Sequence, residues 1–303
     1  MLLRRFTDFI LRGPLEAIGV TLVLTFIPLI GSVSILIAAF ITLRRGAFEG
    51  ALVFLAATVP VFVTYTLYPP ESQTVLLALV LSNLLTWLLA LVLRQYHNWN
   101  LVLEAAGFIG ILVVVLLHIV YPDIQTWWGS KLTIYVGKVA EYLDQVSASA
   151  ITLPQDVQLE MVANAKPFAT GYLVVTLLFN ALVQLLIARW WQAVDVNPGG
   201  LRNELHSIRL SYAAGIIFIA AMVLAFLDVA IAQDILPVLY GVFCGAGLSL
   251  IHCSLANNKI SGFWLAILYA VLILFTSYCV MLIAVIGLLD TILDFRIYLR
   301  KAV

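Results

Sequence analysis

Two amide side chains stand out in this sequence because they interrupt a long apolar stretch. Asn180 and Gln184 are four residues apart, so a helix places both on one face. Asn83 and Thr86 form a second polar pair in an earlier apolar stretch, and Glu104 is an acidic residue near the start of another. Polar groups are costly to bury in apolar surroundings. We therefore take Asn83, Asn180, Gln184 and Glu104 as the candidate solute-binding residues.

A structural role is the alternative for the same residues. Amide side chains within apolar helices commonly join one helix to another through hydrogen bonds. Glu104 is also close enough to a helix end to reach the aqueous interface or to pair with Arg94 across a short loop. The sequence leaves both alternatives open, a solute site or a set of bonds between helices.

The spacing that catalysis requires is missing. Asp290 and Asp294 share one helical face, but they stand beside Arg296, which favours a charged anchor over a general acid/base pair. No nucleophile elbow, phosphate loop or zinc-ligand spacing occurs. The histidines and cysteines in or near apolar segments are scattered: His118, His206, His252, Cys244, Cys253 and Cys279. We predict no enzyme activity, no catalytic residue, no metal site and no cofactor.

The elements that must position these residues are apolar segments of membrane-spanning length. Of 303 residues, 63% are hydrophobic and 11% are charged, whereas about 25% of a soluble domain is charged. Apolar runs of about 20 residues match the thickness of the bilayer core. We predict an all-α fold, a polytopic transmembrane helical bundle that forms a single domain over residues 1–303 within the lipid bilayer. The central spans are predicted at 48–68, 74–93, 101–120, 167–187, 210–228 and 235–255.

Residues 14–43 and 262–295 are each too long for one span and short for two. A proline and a glycine in the first segment permit a hairpin tip. If both segments double back, every lysine and arginine except Lys131, Lys138 and Lys166 lies on one side, as the positive-inside rule requires. We therefore predict about ten membrane segments in a bacterial inner membrane, with both termini cytoplasmic. Eight or nine segments are the alternative if an end segment is one long helix.

The segment 121–166 is the longest stretch between predicted spans and lies outside the cytoplasm in this arrangement. Apolar residues recur at helical spacing in its first part, which predicts an amphipathic helix. These residues are Leu132, Tyr135, Val139, Tyr142 and Val146. Pro154 suits the first turn of a second short helix that ends near Ala163. We interpret the segment as a lid over the bundle, with a docking surface for a partner as the alternative.

The loop after Trp191 contains strong turn chemistry. Residues 197–200 read Asn-Pro-Gly-Gly, in which proline fixes one backbone dihedral and the glycines accept positive φ. The loop is either a rigid connector or a contact point for another subunit. The candidate partner-contact residues are Asn197, Pro198, Gly199, Gly200 and Arg202.

Small residues also recur on one predicted span. Gly241 and Gly245 have the G-x-x-x-G spacing, which Gly247 and Ser249 continue. Such residues allow two helix backbones to approach closely. We predict tight packing within the chain, and packing on a partner is the alternative.

Several segments together resemble the YybS-like family of bacterial membrane proteins of unknown function. They read IPLIG at 27–31, LRRG at 43–46 followed by EGA at 49–51, WQ at 191–192 followed by NPGG at 197–200, and LLDTILDFR at 288–296. That family is similar to the substrate-binding subunits of energy-coupling-factor vitamin transporters. The resemblance implies a helical bundle that captures a small solute from outside and depends on a partner ATPase complex for energy.

These observations lead to two hypotheses about function. The first is a transporter-subunit-like membrane protein that binds a small solute beneath the 121–166 lid, with an ATPase complex as its partner. The second is a scaffold or assembly partner that contacts another membrane protein through the 197–204 loop and its glycine face. Because acidic and basic residues balance at 16 each, we expect no nucleic-acid partner.

Overall fold

The computed structural model describes residues 2–27, 31–67, 73–146, 153–258 and 261–297. Within those ranges every regular element is a helix, which confirms the all-α prediction. In chain order the helices are α1 (Leu2–Ile10), α2 (Pro14–Thr25), α3 (Gly31–Arg44), α4 (Ala47–Thr66), α5 (Gln73–Tyr96), α6 (Trp99–Val120), α7 (Ile124–Val146), α8 (Gln155–Ala165), α9 (Ala169–Val196), α10 (Gly200–His206), α11 (Tyr212–Phe226), α12 (Ala230–Asn257), α13 (Phe263–Leu274) and α14 (Thr276–Leu293). A short 3-10 helix, Lys166–Phe168, joins α8 to α9.

The protein is a helical membrane protein. Among the described residues, five helical stretches are long and apolar enough to cross a bilayer, and they lie in α5, α6, α9, α12 and α14. Five further apolar helices are shorter: α2, α3, α4, α11 and α13. The two sets together match the positions of the segments predicted from the sequence.

The central spans fall close to their predicted positions, with one clear exception. α9 continues to Val196, well past the predicted end at residue 187. Its extension is stabilised by burial, because Ala188 and Trp191 are both almost fully buried. The helix therefore extends beyond the apolar stretch that the sequence marks.

Both end segments contain the expected break. In the first, α2 and α3 pack against each other, while the proposed tip at 28–30 lies outside the described residues. In the second, Phe275 is non-helical (φ −124°, ψ 45°) and separates α13 from α14. Cys279 Sγ lies 3.6 Å from the Val271 carbonyl oxygen, although residues eight apart are about 12 Å apart along a straight helix. The chain therefore bends sharply at Phe275.

The chain forms two compact units. The larger unit contains Met1–Ala106, Thr176–Ser211 and Val242–Val303. The smaller unit contains Gly107–Val175 and Tyr212–Gly241. The single domain expected from the sequence stays a prediction.

In the larger unit, α2, α3, α4 and α5 pack on one another, and α9 joins them through Trp191. The Trp191 ring stacks on Phe40 with centroids 4.5 Å apart and on Phe6 at 5.7 Å. Its indole nitrogen also donates a hydrogen bond to Thr7 Oγ1, at 2.8 Å. One aromatic side chain thus ties α1, α3 and α9 together.

In the smaller unit, α7 and α8 form the two helices predicted for segment 121–166, and they pack against each other. The apolar stripe of α7 is not its packed face, because Tyr135 and Tyr142 are 67% and 64% exposed and Ala140 is buried. In a membrane protein apolar side chains also face lipid or the interface, so an apolar stripe does not identify the packed face. Lys131 lies over the Trp127 ring at 5.7 Å on this exposed side.

The small residues of α12 pack within the chain, as the sequence predicts. A Cβ added to Gly247 would collide with the Ile283 carbonyl on α14, and one added to Gly245 would lie 3.1 Å from the Leu103 side chain on α6. Gly287 of α14 is equally constrained, since its Cβ would lie 2.9 Å from Gly247 N and closer still to Phe243 O. The backbones of α12 and α14 are therefore in direct contact.

We expect Gly287→Ala to destabilise the protein by about 1–3 kcal/mol, because the new methyl group must push α14 away from α12. The free energy of unfolding in an SDS titration measures this loss. Gly19→Ala in α2 is the matched control, since a Cβ there meets nothing within 4 Å. The control should leave stability unchanged or raise it by up to about 1 kcal/mol. Equal effects at the two glycines would contradict the close approach of α12 and α14.

Candidate functional site

A cavity of about 790 Å³ lies in the larger unit. Its walls come from the end of α9, α10, the second half of α12, and α13. Residues 197–199, the connector between α9 and α10, also contribute to them. Pockets that bind small molecules have volumes of about 300–1,000 Å³ and mostly apolar walls. Most of the lining residues here are apolar, and five of them are leucines. Its size and composition fall within the range of pockets that bind small molecules.

The turn before α10 forms one rim of the cavity. Gly199 has a φ of 87°, a left-handed conformation that glycine adopts without steric cost, and α10 starts at the next residue. Glu204 fixes α10 in place, because it accepts hydrogen bonds from Arg189 Nε at 3.1 Å and from Trp99 Nε1 at 3.2 Å. The rim is therefore bonded to both α6 and α9.

Arg296 fixes the chain on the far side of α10. Its guanidinium pairs with Asp290 at 2.9 Å and donates to the carbonyls of His206 and Ile208 and to Ser249 Oγ. Asp290 and Arg296 are 1% and 6% exposed, so the pair is buried.

Arg209 makes a parallel set of bonds beside it. Its guanidinium donates to the carbonyls of Asp290 and Thr291 and pairs with Asp294 at 2.7 Å. Asp290 in α14 and Asp294 directly after it thus pair with arginines. This agrees with the charged anchor that the sequence favours.

The polar groups that line the cavity are few and carry no negative charge. Among the described lining residues none is acidic, and the ionisable ones are Arg202, His206, His252 and Tyr269. His252 Nε2 and the Tyr269 hydroxyl are hydrogen-bonded at 2.9 Å and join α12 to α13. Burial lowers the pKa of His206, and the charges of Arg202, His252 and Arg296 lower it further. Its imidazole is therefore neutral at neutral pH, and Arg202 supplies the positive charge.

The predicted solute residues Asn180 and Gln184 lie outside this cavity and bond to α5. Asn180 Nδ2 donates to Ser82 Oγ at 2.7 Å, and Thr86 Oγ1 donates to Gln184 Oε1 at 2.5 Å. Asn83, although adjacent to Ser82, is not part of these bonds. The geometry supports the structural alternative, and a solute role for these amides stays a prediction.

Glu104 also has a structural partner, and this partner is not Arg94, the pairing that the sequence offered as one alternative. Glu104 Oε1 accepts a hydrogen bond from the backbone N–H of Ser211 at 2.6 Å, just before α11 begins. Arg94 instead donates to the carbonyls of Thr42 and Leu43 at 2.9 and 3.0 Å. Backbone N–H groups at the start of a helix and carbonyls at its end have no partner within that helix. They therefore attract Glu104 and Arg94 more strongly than these two side chains attract each other.

The predicted partner-contact residues form the outer rim of the cavity. Asn197, Pro198, Gly199 and Arg202 are exposed, and Gly200 is half-buried. Pro198, Gly199 and Arg202 also line the cavity. The structure thus brings these residues together, while it leaves Asn83, Asn180, Gln184 and Glu104 elsewhere.

Sequence reasoning missed a buried ionisable pair in the smaller unit. Asp234 of α12 is 0% exposed and accepts hydrogen bonds from His118 Nε2 at 2.8 Å and from the Gly171 backbone N–H at 3.0 Å. Next to it, Trp128 of α7 donates to the buried Thr170 Oγ1 at 3.0 Å. Asp234 lies one residue outside the predicted span at 235–255, and His118 is one of the scattered histidines to which the sequence assigns no partner. An acidic residue three positions before a helical proline was the available signal.

Comparison of the chain with protein-family models, curated proteins and solved structures gives no match. The family resemblance inferred from the sequence therefore stays a prediction.

What the cavity can do follows from its own groups. An apolar interior holds an apolar molecule through the hydrophobic effect. Arg202 and the neutral His206 can orient a polar group at one end. Within the described residues, no group of three or more histidine, cysteine, aspartate or glutamate side chains is arranged to hold a metal ion. The arrangement suits binding.

Proposed function

We propose that this membrane protein binds a small, largely apolar molecule in the cavity between α9, α10, α12 and α13. The observation that supports this most is the combination of a volume near 790 Å³, mostly apolar walls and a few polar groups. The solute site thus moves from the amides of α5 and α9 to the connector end of the larger unit.

Charge supports an orientation in which this cavity lies at the cytoplasmic side. Arginines of α3, α5 and α9, and Arg209 just before α11, bond to helix ends and acidic groups: Arg44 to Asp195, Arg94 to Thr42 O, Arg189 to Glu204 and Arg209 to Asp294. The loops that the positive-inside rule assigns to the cytoplasm are thereby joined to one another. We place both termini on that side, in a bacterial inner membrane.

Filling the cavity tests the proposal. Ala256 lines the cavity, and Ala256→Trp should occupy its space and abolish retention of any small molecule. Ala266→Trp is the matched control, because Ala266 is exposed on α13 and is not a lining residue. Native mass spectrometry of protein released from its own membrane measures the retained mass. Equal retention by Ala256→Trp and the wild type would refute the cavity as the binding site.

The second candidate function is docking of a transporter ATPase complex or another membrane protein on the connector. Its support is that Asn197, Pro198 and Gly199 are exposed while Glu204 and Arg296 hold the surrounding chain in place. A photo-crosslinking residue at Asn197 should capture ATPase subunits if the protein is a transporter subunit. Capture of a different membrane protein would favour the scaffold, and no capture would count against both forms of docking.

A further inference from the structure

The charge distribution around the cavity narrows the class of molecule that fits it. Each arginine from Arg44 to Arg296 other than Arg202 donates to a carbonyl, amide or carboxylate group within the described chain. Arg202 is exposed at the cavity rim, and its guanidinium makes none of the hydrogen bonds or ion pairs that the described residues show. A guanidinium has five donors in a planar fork that matches a carboxylate or phosphate.

An anionic group at this rim would not be repelled by a negative charge from the described lining residues. None of the described lining residues is acidic. The acidic residue of α10 itself, Glu204, is held by Arg189 and Trp99. The neutral imidazole of His206, one turn along α10 from Arg202, offers a further donor.

One wall of the cavity suits an apolar chain. α13 forms this wall with Leu265 and Tyr269, and α12 faces it with Leu248 and Leu255. No residue of α13 is buried, and the His252–Tyr269 hydrogen bond of 2.9 Å ties it to α12. α13 is therefore an exposed wall, beside which a ligand can arrive from the bilayer.

We propose that the cavity binds an anionic amphiphile, with its acidic group at Arg202 and His206 and its apolar chain between α12 and α13. This inference rests on the proposed function and specifies its ligand class. The acidic group belongs either to a single-chain amphiphile or to a membrane lipid, and both present the same chemistry to Arg202.

Tryptophan quenching tests the ligand class. In phosphatidylcholine nanodiscs, dibromostearate should quench part of the tryptophan fluorescence, and Trp190→Phe should remove that part because Trp190 lines the cavity. Arg202→Gln should weaken the affinity for dibromostearate about 10- to 100-fold, since a hydrogen bond to a charged group contributes about 1.5–3 kcal/mol. The affinity for the uncharged methyl ester should not change.

Two controls separate the ligand class from the proposed function. Arg12→Gln removes an exposed arginine away from the cavity and should leave both affinities unchanged. Ala256→Trp should block both probes. If it does, and Arg202→Gln weakens the two probes equally or not at all, the anionic class is refuted while the cavity stands. If Ala256→Trp blocks neither probe, the proposed function itself fails.

A second measurement identifies the source of the anionic group. Native mass spectrometry from nanodiscs that contain phosphatidylglycerol and phosphatidylcholine reports which lipid stays bound. Retention of phosphatidylglycerol that Arg202→Gln abolishes supports a membrane lipid. Binding of dibromostearate without phosphatidylglycerol retention supports a single-chain anionic amphiphile.

Discussion

Replacing Arg296 with methionine is expected to cost about 3–5 kcal/mol of unfolding free energy, the largest loss of any substitution considered for this protein. The substitution leaves the buried Asp290 carboxylate with only the Phe295 backbone N–H as a donor among the bonds described for it. It also removes the donor to the carbonyls of His206 and Ile208. An SDS titration of the purified protein measures the loss.

Arg44→Met is the matched control for this substitution. Arg44 pairs with Asp195 at 2.7 Å, but the two side chains are 25% and 31% exposed. A partly exposed pair of this kind contributes about 0–1 kcal/mol. A second variant, Arg296→Met combined with Asp290→Leu, should recover part of the loss because no buried charge remains. Equal losses at Arg296 and Arg44 would mean that Arg296 does not clamp the connector to α14.

The second large effect is expected at His118. His118→Leu removes the donor to Asp234 Oδ2, so a carboxylate with 0% exposure keeps only the Gly171 N–H among the donors in the described part of the chain. Hydrogen bonds to charged groups contribute about 1.5–3 kcal/mol, and we expect a loss of that size in the same titration. The double variant His118→Leu with Asp234→Leu should be more stable than His118→Leu alone. If the double variant is the less stable one, the buried pair has been assigned wrongly.

Periodicity and length were sufficient to place the helices, because both depend on local sequence. The spans at α4, α5 and α6, the short α8 after Pro154 and the breaks in the two end segments lie close to their predicted positions. The GxxxG face of α12 was also predictable, since small residues have one principal use in a helix interior.

Packing partners were not predictable in the same way. The apolar stripe of α7 did not reveal its buried face, because lipid and protein interior accept the same side chains. The pairing of Asn180 and Gln184 with Ser82 and Thr86 depends on how α5 and α9 meet, and the sequence of either helix contains no record of that. The same limit applies to Asp234 and His118, which are distant in sequence and adjacent in space.

The cavity itself depends on several distant segments at once. The Asn-Pro-Gly-Gly turn was visible in the sequence, yet its position beside α12 and α13 is set by the bonds of Glu204 and Arg296. Arg202 belonged to the predicted contact loop. The structure adds that Arg189, Arg209 and Arg296 are bonded to other groups of the chain, whereas the described bonds leave the Arg202 guanidinium available to a ligand.

An experimental density map of the protein, extracted in its native lipid without delipidation, tests the central claim most directly. Our prediction is elongated density in the cavity between α12 and α13, with one end within hydrogen-bond distance of Arg202 and the other beside Leu248 and Leu265. A cavity that is closed because α13 packs directly on α12, or that is open and contains only solvent, would contradict it.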